Sequence, residues 1–85
     1  MKEYFVYIVE CKDDSYYTGI TVDLARRIDE HNNSHKGAKY TKKRRPVKLI
    51  YSHGGYDRSS AGREEHRIKK LSKPEKVLLV TSKLK

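Results

Sequence analysis

An 85-residue chain has room for one domain and buries only roughly 60 to 65% of the surface it exposes when unfolded, so its core is thin. Hydrophobic residues make up 35% and charged residues 36%, but the apolar positions fall in periodic runs, which is the pattern of a folded chain and not of a disordered one. Lys and Arg number 20 against 11 Asp and Glu, a net charge of +9 that favours phosphate as the partner and, with no Trp present, speaks against an anionic membrane surface.

No apolar stretch near the start is long enough for a signal peptide or a membrane span, and the cytoplasm is the expected compartment. Residues 4–10 (YFVYIVE) are β-branched and aromatic, residues 12–15 are turn-like, and residues 16–21 (YYTGIT) are β-prone again, which predicts a β-hairpin. The single cysteine, Cys11, has no internal disulfide partner, and no Cys and His spacing suits a structural zinc site, so any metal would be held mainly by oxygen. A hairpin loop with an odd number of residues centred near Asp13 sets Tyr7 opposite Gly19 and Tyr17 opposite Val9, with both phenols on one face. An even loop sends them to opposite faces; the odd loop is the expectation. Taken singly, each tyrosine is an ordinary strand residue, whereas Gly19 within a strand marks close approach by something else.

Thr21 can cap a helix from Val22 to about Asn33, in which Leu24, Arg27, Ile28 and His31 share one stripe. Residues 34–45 (SHKGAKYTKKRR) have no clear period and are expected to form a basic loop with at most one helical turn, closed by Pro46. Residues 47–52 (VKLIYS) predict a third strand, residues 53–58 (HGGYDR) a loop, and Ser59 to about Leu71 a serine-capped helix whose inner stripe is Ala61, Glu65, Ile68 and Leu71. Ser72-Lys73-Pro74-Glu75 is a capping box with proline in the first turn, starting a last helix to about Lys83 that carries Val77, Leu78, Val80 and Leu84. The order β-β-α-β-α-α, with no internal repeat or linker, predicts one α+β domain over residues 1–85: a small three-stranded antiparallel sheet flanked by helices.

Three polar residues occupy inward helical positions: Arg27 and His31, one turn apart, and Glu65. Buried charge without a partner is costly. Arg27 and Glu65 could simply pair beneath the helices, and His31 alone could be helix-end packing; the other reading is chemistry. The loop cations Lys36, Lys39, Lys42, Lys43, Arg44 and Arg45, with Tyr40 interleaved, could be mere solvated charge. Phosphate contacts beside an aromatic that can stack on a base are, however, what sequence-tolerant nucleic-acid binding requires.

The residues Phe5-Val6-Tyr7 and Tyr17-Thr18-Gly19, then Asp23-Leu24-Ala25-Arg26-Arg27-Ile28 and His31, resemble the GIY-YIG nuclease superfamily over nearly the whole chain. Lys36-Gly37-Ala38-Lys39-Tyr40-Thr41, Arg44-Arg45-Pro46-Val47 and Ile68-Lys69-Lys70-Leu71-Ser72 resemble its short, stand-alone bacterial YhbQ-like members. The resemblance implies that Tyr7 and Tyr17 are the tyrosines of the two half-motifs, Gly19 the closing glycine, Arg27 the helix arginine, His31 the histidine one turn on, and Glu65 the metal-binding glutamate. Phe5 stands where the opening glycine usually lies, and Thr18 replaces the middle isoleucine of the second half-motif.

The implied activity is endonucleolytic hydrolysis of phosphodiester bonds, with DNA the expected substrate and repair or recombination its setting. One Mg²⁺ or Mn²⁺ ion would be held weakly by Glu65 and a phosphate oxygen, Arg27 would stabilise the pentacovalent phosphate, and Tyr7, favoured over Tyr17, would take the proton of the attacking water. Arg27 and the metal would have to lower the phenol pKa, and His31 could accept or relay the proton. The rival reading is a non-catalytic basic nucleic-acid-binding module on a degenerate nuclease fold. A basic protein of ribosomal type leaves the polar residues on inner helical faces without a reason.

Overall fold

The structure is a computed structural model that describes residues 2–83. Its centre is a strand, β1 (Tyr4–Glu10), whose Val6, Ile8, Tyr7 and Val9 are all sealed from solvent, so both faces of the strand are covered. That explains why its sequence is a continuous apolar run and does not alternate with polar residues. β2 (Tyr16–Thr21) and β3 (Lys48–Tyr56) pair with β1 on either side, both antiparallel, in the order β2-β1-β3. The α+β architecture of a three-stranded antiparallel sheet flanked by helices is as expected.

The hairpin register is also as expected. Glu10 pairs with Tyr16, leaving residues 11–15 as the odd loop, and Tyr7 lies opposite Gly19 while Val9 lies opposite Tyr17. Asp14 takes a positive φ of 67° in the turn, and the Asp13 carboxylate accepts from the Ser15 amide at 3.1 Å, so short polar side chains close the loop on itself.

Alternation along β1 divides the core in two. Val6 and Ile8 face Tyr51, Ala61, Ile68 and Val80 on one side; Tyr7 and Val9 face Cys11, Val47, Tyr17, Leu24 and Ile28 on the other. Helix α1 (Leu24–Asn33) thus covers the phenol side, and α3 (Arg58–Lys69) and α4 (Lys73–Lys83) cover the opposite side. A single helical turn, α2 (Lys39–Lys42), interrupts the basic loop.

Three boundaries differ from the sequence reading. Asp23, and not Thr21, caps α1 by accepting from the Arg26 amide at 3.1 Å; Thr21 instead accepts from the Asp23 amide and holds the entry turn. Asp57 caps α3 in a reciprocal box with Ser60, displacing the expected serine cap. β3 continues through His53-Gly54-Gly55 to Tyr56, because the glycines here make room and a bulge where a loop was expected. A Cβ on Gly54 would sit 2.6 Å from the Phe5 ring, and Gly55 has φ +89°. Phe5, in place of the motif's opening glycine, is thus accommodated by a glycine on the neighbouring strand.

The α4 capping box forms as expected, the Ser72 amide donating to Glu75 at 2.8 Å and the Glu75 amide to Ser72 at 3.3 Å. Of that helix's apolar residues, Val80 is buried whereas Leu78 is 68% exposed, so the inward stripe runs through Leu79 and Val80; Leu84 lies outside the described residues. Among the described residues no helix is long and apolar enough to cross a membrane.

Candidate active site

Four of the five expected residues meet on the phenol side of the sheet. Tyr7, from the middle of β1, is 1% exposed, and its Oη lies 2.7 Å from Nε2 of His31, which is fully buried in the last turn of α1. Tyr17 sets its ring edge-on to the same imidazole, with centroids 5.3 Å apart. Arg27, one turn before His31, brings its positive charge close enough to Tyr7 to pull the phenol's pKa down. Strand parity supplies the phenols and the 3.6-residue period supplies Arg27 and His31, so two independent periodicities converge.

Gly19 is what allows Tyr7 to lie there. A Cβ at that position would stand 2.5 Å from Tyr7 Oη and 2.7 Å from Cζ, inside any tolerable contact. The strand glycine therefore marks the close approach its sequence context suggested, and the object approaching is the phenol itself.

Burial dominates the electrostatics. It pushes the Tyr7 phenol up to about 12, although the Arg27 hydrogen bond and charge pull the other way; Tyr17 and Glu65 add smaller upward contributions. The expectation that Arg27 would lower this pKa thus holds for the sign of its own influence but not for the result, because desolvation of a phenolate costs more than one shared cation returns. His31 is held down at about 4, by burial first and then by the positive charges of Arg27 and Arg45, against the pull of Glu30. At neutral pH the pair is a neutral phenol against a neutral imidazole.

Arg27 does not pair with Glu65. It donates to Glu30 Oε1 at 2.9 Å and to the Lys36 carbonyl at 3.0 Å, which anchors the basic loop to α1. Glu65 rises from α3, whose Ala61 and Ile68 pack in the other half of the core, and its carboxylate lies near enough to Tyr7 to raise the phenol's pKa. Its half-buried carboxylate instead takes Lys69 Nζ at 3.2 Å. Among the described residues no three His, Cys, Asp or Glu side chains are grouped to hold an ion. A lone carboxylate fits a hard cation that keeps most of its own water, as Mg²⁺ and Mn²⁺ do, and does not fit a caged metal.

The basic loop divides into two sets. Lys36, Lys39, Lys42 and Lys43 are exposed. Arg44 is tied to Asp13 at 3.0 Å and to the Tyr40 carbonyl at 2.8 Å, with its guanidinium 3.9 Å from the centroid of the Tyr40 ring; Tyr40 also stacks on Tyr17 at 5.9 Å. Arg45 donates to the carbonyls of Glu30, His31 and Ser34 at the end of α1. Both arginines and the Tyr40 ring are engaged within the fold. Asn32 adds a second strap, its side chain donating to the Val47 carbonyl at 3.1 Å and accepting from the Val47 amide at 2.6 Å.

Thr41 was not foreseen. It is fully buried, with Oγ1 2.8 Å from His31 Nδ1 and 3.0 Å from the Ala38 carbonyl. Its only signal in the sequence is an uncharged β-branched residue among cations. Gly37 lets α2 come so close: a Cβ there would be 2.7 Å from the Glu30 carbonyl.

Comparisons with known proteins bear on this arrangement. Residues 3–77 match the family described as the GIY-YIG catalytic domain. The chain is 56% identical over 77 residues to the UPF0213 protein DP2720 of Desulfotalea psychrophila, covering 91% of this chain and 70% of that one. It is 45% identical over 80 residues to the UPF0213 protein YazA of Bacillus subtilis, covering 94% and 80%. Two solution NMR structures share its fold. The UPF0213 protein BH0048 of Bacillus halodurans has a TM-score of 0.62 at 46% identity, covering 95% of this chain and 85% of that one. The protein EF2693 of E. faecalis has 0.65 at 41%, covering 100% and 91%. With the two half-motif tyrosines on one face of the hairpin, and the helix arginine and histidine beside them, the chain belongs to the GIY-YIG catalytic domain family, among short bacterial relatives named UPF0213.

Proposed function

We propose that this chain, acting as one domain, is a metal-dependent nuclease that hydrolyses phosphodiester bonds in nucleic acid, DNA in the first place. The observation that carries the reading is the position of Tyr7 Oη, buried between a base, His31 Nε2 at 2.7 Å, and a fixed cation, Arg27. A phenol with a pKa of about 12 exists as phenolate in only about one part in 10⁵ at pH 7, so Tyr7 acts in concert with its neighbour and not as a preformed anion. As water attacks phosphorus, its proton passes to Tyr7 Oη and the phenol proton passes to His31 Nε2. The phosphorus–oxygen bond to the leaving group breaks with its electron pair going to that oxygen, which is protonated from solvent.

Arg27, which donates to Glu30 and the Lys36 carbonyl, has further N–H groups for the phosphate whose charge grows in the transition state. Tyr17, edge-on to His31, orients the water or the phosphate. Glu65 would hold the Mg²⁺ or Mn²⁺ ion, which when bound supplies charge neutralisation at the leaving oxygen. Lys36, Lys39, Lys42 and Lys43 line the approach for the polyanion.

One observation favours a second reading, a basic binding module that does not cut: Lys69 already neutralises Glu65 at 3.2 Å. Cleavage of labelled single-stranded, linear duplex and branched DNA, with and without Mg²⁺ or Mn²⁺, separates the two. Metal-dependent cutting by the wild type, lost in Arg27→Ala and Glu65→Ala while DNA binding persists, supports the nuclease. Wild-type binding without cutting under any metal, or variants as active as the wild type, overturns it.

A further inference from the structure

We propose that Thr41 is a positioning residue that fixes His31 in the Nδ1–H tautomer, and so fixes the direction in which a proton can leave Tyr7. The inference rests on the relay reading above, but its first test needs no cleavage.

A threonine hydroxyl has one hydrogen. Thr41 Oγ1 stands 3.0 Å from the Ala38 carbonyl, which also receives the Thr41 and Lys42 amides at 3.1 Å, and with its hydrogen shared into that group it offers lone pairs to His31 Nδ1 at 2.8 Å. Nδ1 must then carry the proton, and in a neutral imidazole Nε2 is left as an acceptor.

The far side demands the same answer. Tyr7 Oη lies 2.7 Å from His31 Nε2, and the nearby charge of Arg27 favours the phenol's lone pairs on its own side, which turns the phenol hydrogen toward Nε2. If Nε2 carried the proton, the phenol hydrogen would be turned away from His31 and toward the Arg27 cation. With Nε2 bare, each hydrogen in the chain Tyr7–His31–Thr41–Ala38 has one acceptor. His31 and Thr41 are fully buried, so the order of these hydrogen bonds is set within the fold. When Nε2 takes the phenol proton, the Nδ1–H of the resulting imidazolium remains bonded to Thr41.

Long-range proton–nitrogen NMR on ¹⁵N-histidine-labelled protein at pH 7 reads the tautomer directly. A protonated Nδ1 and an unprotonated Nε2 are expected for His31 in the wild type and in Thr41→Ser. Thr41→Val keeps the shape but removes the acceptor while leaving Tyr7 in place, so the Nδ1–H form should lose its full occupancy and a share of the Nε2–H form should emerge. In the cleavage assay Thr41→Val should lower kcat on the order of 10²-fold with KM for DNA unchanged, and Thr41→Ser should restore it. A wild-type His31 protonated at Nε2, or a Thr41→Val tautomer balance identical to that of the wild type, overturns the proposal. Should Thr41→Val not fold, the wild-type and Thr41→Ser spectra decide alone. If the wild type does not cut DNA, the nuclease reading falls while the tautomer result still stands or falls by the spectra.

Discussion

Tyr7 and His31, 24 residues apart in the chain, meet at 2.7 Å in a site where neither ring nitrogen of His31 is left without a partner. An imidazole held neutral in this way couples folding to pH. Its folded pKa of about 4 lies below the unfolded value of 6.5, so between those values the unfolded chain binds a proton that the folded chain refuses. Stability from this group is therefore complete above the unfolded value and is lost as pH falls through the window. The shift predicts about 2 kcal/mol lost between pH 7 and pH 4.5. Urea unfolding at both pH values measures it. In His31→Gln the loss over that interval should shrink to what the carboxylates contribute; an unchanged loss would mean that His31 titrates normally.

Gly19→Ala should injure the site more than the fold. The new methyl would lie 2.5 Å from Tyr7 Oη and must drive the phenol off His31. Overpacking of this kind costs about 1–3 kcal/mol, whereas loss of the relay should lower cleavage on the order of 10²-fold. A crystal structure or the Tyr7 and His31 side-chain NMR signals would report the displacement. An unmoved Tyr7 in a variant of normal stability would refute the packing argument.

What could be read from the sequence follows from how strongly each signal is tied to geometry. Loop parity fixes which face a strand residue occupies, so the pairing of Tyr7 with Gly19 was legible before any coordinates. Helical period likewise put Arg27 and His31 on the inner side of α1. Cap identity was less legible, because Asp23 competes with Thr21, and Asp57 with Ser59, for amides a residue or two apart. Gly54-Gly55 resembles a loop and is a bulged strand end, since only contact with Phe5 distinguishes the two. Glu65 was rightly assigned to an inward stripe, but its stripe faces the other half of the core, and its pairing with Lys69 instead of Arg27 depends on which side of the sheet α3 takes.

Charge in a loop carries no direction, and the arginines of the basic loop illustrate the consequence. Arg45 donates to three carbonyls at the end of α1, whereas Lys43 is exposed. Arg45→Ala should lower stability by about 2–4 kcal/mol, since buried donors to carbonyls are lost together. Lys43→Ala should leave stability within about 0.5 kcal/mol and weaken DNA binding with a shallower salt dependence. Thermal unfolding and binding titrations over a range of salt concentrations measure both. The reverse pattern would show that Arg45, and not Lys43, meets the polyanion.

Lys69 and Glu65 supply the last test, because an ammonium 3.2 Å from the carboxylate competes with any divalent ion for the same oxygens. Lys69 is half-exposed, so the ion pair is worth little, about 0.2–1 kcal/mol. Lys69→Met should accordingly lower the Mg²⁺ or Mn²⁺ concentration for half-maximal cleavage by up to about fivefold. Because Lys69 can also touch phosphate, DNA affinity is measured separately without metal, where the same change should weaken binding slightly. The two effects have opposite signs, so they cannot be confused. A metal requirement that rises, or stays fixed, in Lys69→Met would remove Glu65 from the role of metal ligand.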